Sequence, residues 1–340
     1  RDAGLSPGCA RLGEAVDLSC HAMPLPEPLA IAALDRLRQS LPSLAFDPAC
    51  DADSVTLPGA AAYLDHYGLA LAGMPQGVRH AMGAVAAGGY RMAAHCWFPP
   101  TPGGTAFVVH GYFDHVGLSG HLIRHLLGRG LNVVAFDLPG HGLSDGERVT
   151  IASFDHYVEV FEALLDAAHG LPRPWHGVGQ STGGAIVLHH LLRAAEHPFA
   201  GVALLAPLVH PRRWSINRLI YLASHRWRNQ IERKFVANSG DPEFLDFIAN
   251  HDPLQARHLP LEWIGAMKRW AEELHELPPS NRAASVIQGD ADTTLDWRYN
   301  LRLLRRKLPK GRFHLLPGAR HHLVNETAPI RQQAFAALGF

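Results

Sequence analysis

From about residue 105 onward, short apolar segments alternate with segments that have the period of an amphipathic helix. Runs of about four to eight apolar residues between such helices are typical of strands buried on both faces. The alternation therefore predicts an α/β fold, with a mostly parallel sheet covered by helices on both faces. The predicted strands are TAFVVH (105–110), LNVVAF (131–136), PWHGVG (174–179), GVALLA (201–206), ASVIQG (284–289) and RFHLLP (312–317).

The alternation is interrupted once, and it is preceded by a different pattern. Residues 208–280 are far more than one strand–helix crossover needs, so we predict an inserted helical cap there. The segment VRHAMGAVAAGGYRMAAHCWFP predicts a hairpin that turns at Gly88-Gly89, and helices are predicted over Glu27–Leu41 and Ala60–Leu71. We thus expect three parts: an N-terminal helical extension (1–75), a core (76–207 and 281–340) and the cap (208–280).

Composition excludes several classes of protein. Lys+Arg and Asp+Glu are both 31, so we expect no nucleic-acid partner. The 23 histidines are scattered without an H-E-x-x-H or C-x-x-C motif, so we expect no metal and no cofactor.

The few cysteines favour reduced thiols and a cytoplasmic location over an exported protein with a Cys9–Cys20 disulfide; the other two are Cys50 and Cys96. The sequence also has no segment of signal-peptide character and no apolar run long enough for a bilayer.

Two stretches match the pattern G-x-S-x-G, one around Ser181 (179–183) and one around Ser144 (142–146). An apolar strand ends just before Ser181 and a helix-compatible run follows it, which is the strand–turn–helix setting of a nucleophilic serine. Ser144 follows DLPGHG, where proline and glycines indicate a loop and no helical period begins. We therefore predict Ser181 as the nucleophile and a structural role for Ser144.

A serine hydroxyl needs a base to remove its proton and a carboxylate to orient that base. The loop after strand 284–289 offers Asp290, Asp292 and Asp296, and the loop after the last strand offers His321 and His322. The order of serine, acid and histidine fits, but spacing alone does not choose among these candidates.

The oxyanion hole needs two converging N–H donors. The amide of Thr182, directly after the nucleophile, is one candidate. The loop after strand 105–110 reads His110-Gly111-Tyr112 and offers the amide of Tyr112 as the other, with His110 bracing the loop.

These residues resemble the α/β-hydrolase superfamily, specifically its monoacylglycerol lipase and lysophospholipase-like branch, grouped with the serine aminopeptidase fold family. The similarity rests on five stretches in order: VVHGYFDHVG (108–117), AFDLPGHGLSDGE (135–147), GVGQSTGG (177–184), QGDADTTLD (288–296) and PGARHHLVNE (317–326). The resemblance implies an α/β-hydrolase fold, with Asp292 as the acid and His321 as the base. Thr182 stands where family members commonly have Met or Leu, which bears on the shape of the acyl pocket.

The resemblance implies a serine hydrolase that cleaves carboxylic esters such as monoacylglycerols, lysophospholipids or other small acyl esters. A peptidase or amidase with the same triad is an alternative, favoured if cap acids such as Asp246, Glu272 or Glu273 bind a substrate amine. A non-catalytic ligand-binding protein of this fold is a third reading.

The cap begins with a basic stretch, residues 211–234, which has seven Arg and Lys residues and the single acid Glu232. Its apolar residues fall near helical spacing. Two readings are open: contact with an anionic lipid surface or with an acyl substrate that carries a phosphate, or a solvated basic face whose apolar side packs on the core. Of the two, we favour packing on the core.

Overall fold

The computed structural model describes residues 29–47, 56–194, 196–224 and 227–340. Cys9, Cys20 and Cys50 lie outside this range, and Cys96 is a buried free thiol. The helices are α1 (Ile31–Ser40), α2 (Ala60–His66), α3 (Gly120–Gly128), α4 (Phe154–Ala167), α5 (Thr182–Arg193), α6 (Trp214–Ser224), α7 (Pro242–Asp246), α8 (Leu261–Glu276), α9 (Trp297–Lys307) and α10 (Ala328–Ala336).

Eight strands form one sheet in the order β1-β2-β4-β3-β5-β6-β9-β10. Neighbouring strands are parallel throughout the part β4-β3-β5-β6-β9-β10. The β1–β2 hairpin is antiparallel, and its strand β2 pairs antiparallel with β4. The strands are β1 (Arg79–Ala87), β2 (Tyr90–Phe98), β3 (Thr105–Val109), β4 (Asn132–Phe136), β5 (Trp175–Gln180), β6 (Phe199–Leu205), β9 (Ser285–Gly289) and β10 (Arg312–Leu316).

Large apolar cores cover both faces of the sheet, as the predicted fold requires. Strands β3, β4, β5 and β9 are buried along their whole length, which explains the apolar runs AFVV in β3 and VVAF in β4. The predicted mostly parallel α/β sheet is confirmed.

Before the first strand, α1 and α2 pack against the outer part of the sheet. Leu34 and Leu37 of α1 and Tyr63 and Leu64 of α2 are buried in the same core cluster. Helix α2 is shorter than the predicted helix over Ala60–Leu71. It ends at His66 because Gly68 takes a left-handed conformation (φ 62°), which does not continue a helix.

Between β6 and β9 lie α6, α7, α8 and a small antiparallel sheet of β7 (Gln230–Glu232) and β8 (His258–Pro260). Helix α8 packs Trp263, Met267 and Trp270 into the main core. In the part of the chain that the structure describes, no helix is long and apolar enough to cross a membrane.

Candidate active site

Ser181 lies on a sharp turn between β5 and α5. Its backbone has φ 53° and ψ −112°, a conformation that is rare for a residue with a side chain and that marks functional turns. The turn is held by hydrogen bonds from the Ser181 amide to the Leu205 carbonyl (2.8 Å) and from the Leu208 amide to the Ser181 carbonyl (3.0 Å). These bonds tie the serine to the carboxyl end of the neighbouring strand β6.

Two glycines make the turn possible. A Cβ atom on Gly179 would overlap the Gly183 carbonyl, and a Cβ atom on Gly183 would overlap the Val109 carbonyl at the end of β3. The backbone therefore approaches itself too closely for any side chain. This is the physical reason for the G-x-S-x-G spacing around Ser181.

A chain of hydrogen bonds links Ser181, His321 and Asp292. The Ser181 Oγ lies 2.9 Å from His321 Nε2, and His321 Nδ1 lies 2.8 Å from Asp292 Oδ2. Because Asp292 accepts a hydrogen bond from the Nδ1–H group, the proton of neutral His321 stays on Nδ1, and Nε2 is free to accept the serine proton. Three sequence-predicted residues from distant loops are thus brought together.

Asp292 is buried and receives further hydrogen bonds from the amides of Thr294 (2.7 Å) and Leu295 (3.0 Å) and from Gln288 Nε2 (2.9 Å). Burial raises the pKa of this carboxyl, but His321 and these donors outweigh it and hold the pKa below its ordinary value. Burial likewise lowers the pKa of His321, but the Asp292 carboxylate outweighs burial and raises it above the ordinary histidine value.

The other candidate acids and the other histidine have different partners. Asp290 accepts a hydrogen bond from the Gly318 amide (2.8 Å), and Asp296 caps α9 through the Tyr299 amide (3.2 Å). His322 Nε2 lies 3.1 Å from Asp114 Oδ2 rather than near Ser181 Oγ. Of the residues that spacing left open, only Asp292 and His321 lie in the hydrogen-bonded chain with Ser181 in the part of the chain that the structure describes.

Ser144 is buried in the loop 137–146, where its Oγ donates to the Asp137 carbonyl (2.7 Å) and accepts from the Ala93 amide (2.8 Å). Its hydroxyl is committed to backbone hydrogen bonds that join this loop to β2. This arrangement fits the structural role that the sequence predicts for it.

The loop after β3 passes beside the serine. A Cβ atom on Gly111 would lie 3.3 Å from the Ser181 Cβ, so the next residue, Tyr112, begins at the site. Thr182 is the first residue of α5, where the amide has no partner inside the helix. His110 braces this loop: its Nε2 accepts the Leu138 amide (2.9 Å), and its Nδ1 therefore donates to the Gly111 carbonyl (2.7 Å).

Described residues between positions 211 and 267 lie over the site and form much of the wall of a cavity of about 660 Å³ beside Ser181 and His321. Its cap wall is mainly apolar, and the ring of Tyr112 stacks on Trp263 with centroids 3.7 Å apart. The polar residues Asp114, Arg233 and His322 lie at one part of the wall. Apolar lining residues of the cap include Trp214, Tyr221, Ile231, Leu259, Ile264 and Met267.

Sequence reasoning considered His322 only as a candidate base and Arg233 only as part of the basic stretch, and it did not place either residue with Asp114 in this cavity. Arg233 stacks over the rings of Phe113 (3.9 Å) and Phe235 (4.3 Å), and burial lowers its pKa to about 10. Asp114 directly precedes His115 in a predicted motif, but only the fold brings it to His322. No sequence signal links these positions, because they are 208 residues apart.

One group of side chains has the spacing of a metal site. Ligand atoms of Asp155, His189 and Glu273 lie within 4.8 Å of one another. Arg193 forms ion pairs with Asp155 (2.6 Å) and Glu273 (3.4 Å), so a protein cation already balances these carboxylates. The group lies toward the far end of α5 from Ser181.

We expected the apolar side of the basic stretch to pack on the core, but α6, which lies in this stretch, has apolar side chains on its outer face. Ile216, Leu219 and Leu222 are 56%, 68% and 50% exposed, respectively. Trp214 and Tyr221, on the opposite side of the helix, line the cavity instead. The preferred reading of this stretch is therefore wrong, since α6 carries apolar residues on two sides and only one of them faces the protein.

Known proteins resemble this chain over most of the described fold. The profile of the Hydrolase_4 family, described as serine aminopeptidase, S33, matches residues 100–328. Human monoglyceride lipase is 38% identical over 272 residues, which span 74% of this chain and 86% of the human protein. The monoacylglycerol lipase of Mycolicibacterium smegmatis is 35% identical over 128 residues, spanning 36% of this chain and 45% of that protein.

Solved structures show the same fold. A soluble variant of monoglyceride lipase from Saccharomyces cerevisiae superposes with a TM-score of 0.64 at 18% identity, covering 73% of this chain and 90% of that chain. The monoacylglycerol lipase of Paleococcus ferrophilus superposes with a TM-score of 0.63 at 21% identity, covering 73% of this chain and 96% of that chain. With a family profile that spans more than half of it, the chain belongs to the serine aminopeptidase S33 family of α/β-hydrolases, in the monoacylglycerol lipase-like branch, and is a carboxylic ester hydrolase.

Proposed function

We propose that this chain hydrolyses single-chain acyl esters, with monoacylglycerols as the leading substrates, through an acyl-enzyme on Ser181. The observation that carries the proposal is the hydrogen-bonded chain from Ser181 through His321 to Asp292 at the base of an apolar cavity. The names of the human and mycobacterial relatives support a monoacylglycerol as the substrate.

In the first half of the reaction, Ser181 Oγ attacks the ester carbonyl carbon while His321 Nε2 takes the hydroxyl proton. The negative oxygen of the tetrahedral intermediate accepts hydrogen bonds from the amides of Tyr112 and Thr182. When the bond to the leaving alcohol breaks, His321 returns the proton to the alcohol oxygen. Asp292 stabilises the imidazolium during this transfer and keeps the ring in the reactive tautomer.

In the second half, water enters the site of the departed alcohol. His321 takes a proton from the water as its oxygen attacks the acyl carbon. A second tetrahedral intermediate collapses, and the proton goes back to Ser181 Oγ as the fatty acid leaves. Each proton taken by His321 is returned, so the enzyme ends unchanged.

The apolar cavity predicts a dependence on acyl length. Each methylene group that enters it gains about 0.8 kcal/mol, or roughly fourfold in kcat/KM. We expect kcat/KM for monoacylglycerols to rise by about this factor per methylene until the cavity is filled. Hydrolysis of a chain-length series measures this, with acyl p-nitroanilides of the same lengths testing amide cleavage.

A flat dependence on chain length would place the acyl group outside this cavity. Faster cleavage of the anilides than of the esters would favour the peptidase reading. Asp246, Glu272 and Glu273 are not among the described residues that line the cavity. Asp246 pairs with His251 (3.2 Å), Glu272 with Lys268 (2.8 Å) and Glu273 with Arg193 (3.4 Å), so these three acids do not support an amine-binding site in the cavity. The cap acid among the described residues that does line the cavity is Glu232.

We also propose that the outer face of α6 contacts a lipid surface with anionic headgroups. Its exposed side chains Ile216, Leu219 and Leu222 are apolar. Exposed arginines lie near them in the sequence, namely Arg212, Arg213, Arg218 and Arg228. Such a helix lies at a membrane interface with its apolar side in the acyl boundary. Because its other side lines the cavity, docking there would bring the site next to its substrate.

Replacing Ile216, Leu219 and Leu222 together with serine should weaken binding to vesicles that contain phosphatidylglycerol by at least about tenfold, because each apolar side chain contributes about 1.5–3 kcal/mol when fully buried. Vesicle sedimentation measures the binding. Leu315→Ser, which alters an exposed leucine on β10, is the matched control and should bind like the parent. Unchanged binding of the triple variant, or a dimer that the triple variant dissociates, would contradict lipid docking.

A further inference from the structure

A buried carboxylate in the cap, Asp252, joins three separate parts of the chain. Its own segment supplies two donors, the Leu254 amide to Oδ1 (2.9 Å) and Gln255 Nε2 to Oδ2 (2.7 Å). The Tyr67 hydroxyl donates to Oδ1 (2.8 Å), and His115 Nε2 donates to Oδ2 (3.0 Å). Both oxygens are thus fully engaged, and half of their donors come from outside the cap.

His115 connects Asp252 to the reaction site. It lies three residues after Tyr112, at the end of the loop that passes Ser181. Its Nδ1 accepts the Gly117 amide (3.2 Å), so Nε2 carries the proton that is donated to Asp252. The side chains of both His115 and Asp252 are completely buried. The cap and the loop are therefore joined through a hydrogen bond that water does not reach.

Tyr67 follows α2, more than thirty residues before the start of the family match at residue 100. Its ring packs edge-on against His115 (4.8 Å), and Gly117 has room only for a hydrogen atom against it, since a Cβ there would lie 2.6 Å from the Tyr67 ring. On its cap side the ring meets Phe247 (6.0 Å). Tyr67 thus lies between the cap and the end of the oxyanion loop, the loop of residues 110–115 that carries the Tyr112 amide.

From this arrangement we propose that Tyr67 is a positioning residue for the reaction at Ser181. Through its hydroxyl on Asp252, it fixes the cap against His115 and holds the loop that carries the Tyr112 amide. The proposal rests on the proposed function, because it assumes that this amide stabilises the oxyanion. It assigns to the N-terminal extension a part in catalysis.

The expected consequence follows from how oxyanion holes work. Their donors are effective because they are already in place when charge develops, so a displaced loop loses stabilisation in the transition state while substrate binding is retained. Loss of a whole donor lowers kcat by about 100- to 1000-fold. Because Tyr67→Phe loosens the loop without removing the donor, we expect kcat to fall by about tenfold with KM changed by less than about twofold.

Tyr63→Phe is the matched control. Tyr63 lies in α2, four residues before Tyr67, and is fully buried. Its hydroxyl has no hydrogen-bond partner among the described residues. Both variants are made in the full chain, and a fluorophosphonate titrates the active sites so that kcat refers to folded enzyme. Tyr63→Phe should keep the parent kcat.

A second measurement separates positioning from general stability. An alkyl trifluoromethyl ketone adds to Ser181 Oγ and places its oxygen anion in the oxyanion hole. Its inhibition constant should rise about tenfold in Tyr67→Phe, in parallel with the fall in kcat, and stay unchanged in Tyr63→Phe. In an Asp252→Asn background, where Tyr67 has lost the carboxylate it acts on, Tyr67→Phe should change kcat by less than about twofold.

The proposal is overturned if Tyr67→Phe behaves like Tyr63→Phe, or if it lowers only the thermal stability while kcat per titrated site and ketone affinity stay at the parent values. It is also overturned if the Tyr67 and Asp252 effects are additive. Failure of the proposed function has a different signature: Ser181→Ala would keep the parent activity whatever the Tyr67 variants do.

Discussion

Replacing Ser181 with alanine is expected to lower kcat for ester hydrolysis by about 10⁵- to 10⁶-fold. The reason is that, in the proposed mechanism, Oγ is the atom that bonds to the acyl carbon, and neither His321 nor the oxyanion hole can substitute for it. The fold should be unaffected, because the Ser181 backbone bonds to Leu205 and Leu208 remain. Residual activity would come from water bound near the oxyanion donors.

Ser144→Ala is the matched control, because it alters the other serine in a G-x-S-x-G stretch. Its Oγ forms two buried hydrogen bonds to backbone, so the variant should lose about 1–3 kcal/mol of stability. Its kcat per titrated active site should stay within about threefold of the parent.

Initial rates on a monoacylglycerol, together with thermal unfolding, distinguish the two serines. A Ser181→Ala enzyme with parental kcat would refute the nucleophile. It would also leave the non-catalytic reading for the site open. Loss of activity in Ser144→Ala without loss of stability would refute the structural role of Ser144.

Asp292→Asn should lower kcat by about 10⁴-fold. The asparagine can present its N–H group to His321 Nδ1, which favours the tautomer with the proton on Nε2 and thus prevents Nε2 from accepting the serine proton. It also removes the negative charge that stabilises the imidazolium. Asp290→Asn is the control, because Asp290 contacts the Gly318 amide and not His321; it should retain activity within about threefold.

The pH profile tests the same carboxylate independently. In the proposed mechanism only neutral His321 acts as the base, so kcat/KM should rise with pH through the His321 pKa. Asp292 raises that pKa above the ordinary value of about 6.5, which places the acidic limb above that pH in the parent enzyme.

Without Asp292 the effect of burial remains, and burial lowers the pKa of a histidine. The acidic limb of Asp292→Asn should therefore move to lower pH, to below about 6.5. A limb that stays in place would mean that the limiting group is not His321. A limb that moves to higher pH would contradict the charge relation between the two residues.

The sequence predicted the parallel sheet and the serine turn because both depend on local pattern. Strands such as β3 and β4 are buried on both faces, so they contain continuous apolar runs, AFVV in β3 and VVAF in β4. The glycines at 179 and 183 are required by close backbone contacts at the turn itself. The predicted ends of helices were less accurate. Helix α2 ends at His66 rather than at the predicted Leu71, because Gly68 takes a left-handed conformation.

Other features depend on residues that are far apart in sequence, and no pattern announces them. Spacing left three aspartates and two histidines open, and the family resemblance pointed to Asp292 and His321. The structure brings only that pair into the hydrogen-bonded chain, while His322 turns to Asp114. The helical spacing of residues 216–222 predicted that α6 has an apolar side. It did not predict whether that side faces the protein or the solvent, because this depends on which surfaces the neighbouring elements cover.

By itself, then, the amino-acid sequence determined the order of strands and helices, the strained turn at Ser181 and the set of side chains from which a triad could be built. Only the tertiary structure decided which of them meet. It also decided that Tyr67 and Asp252, 185 residues apart, share a hydrogen bond next to the oxyanion loop. The physical reason is that local periodicity records which face of an element is buried, whereas the partner that buries it is set by packing of the whole chain.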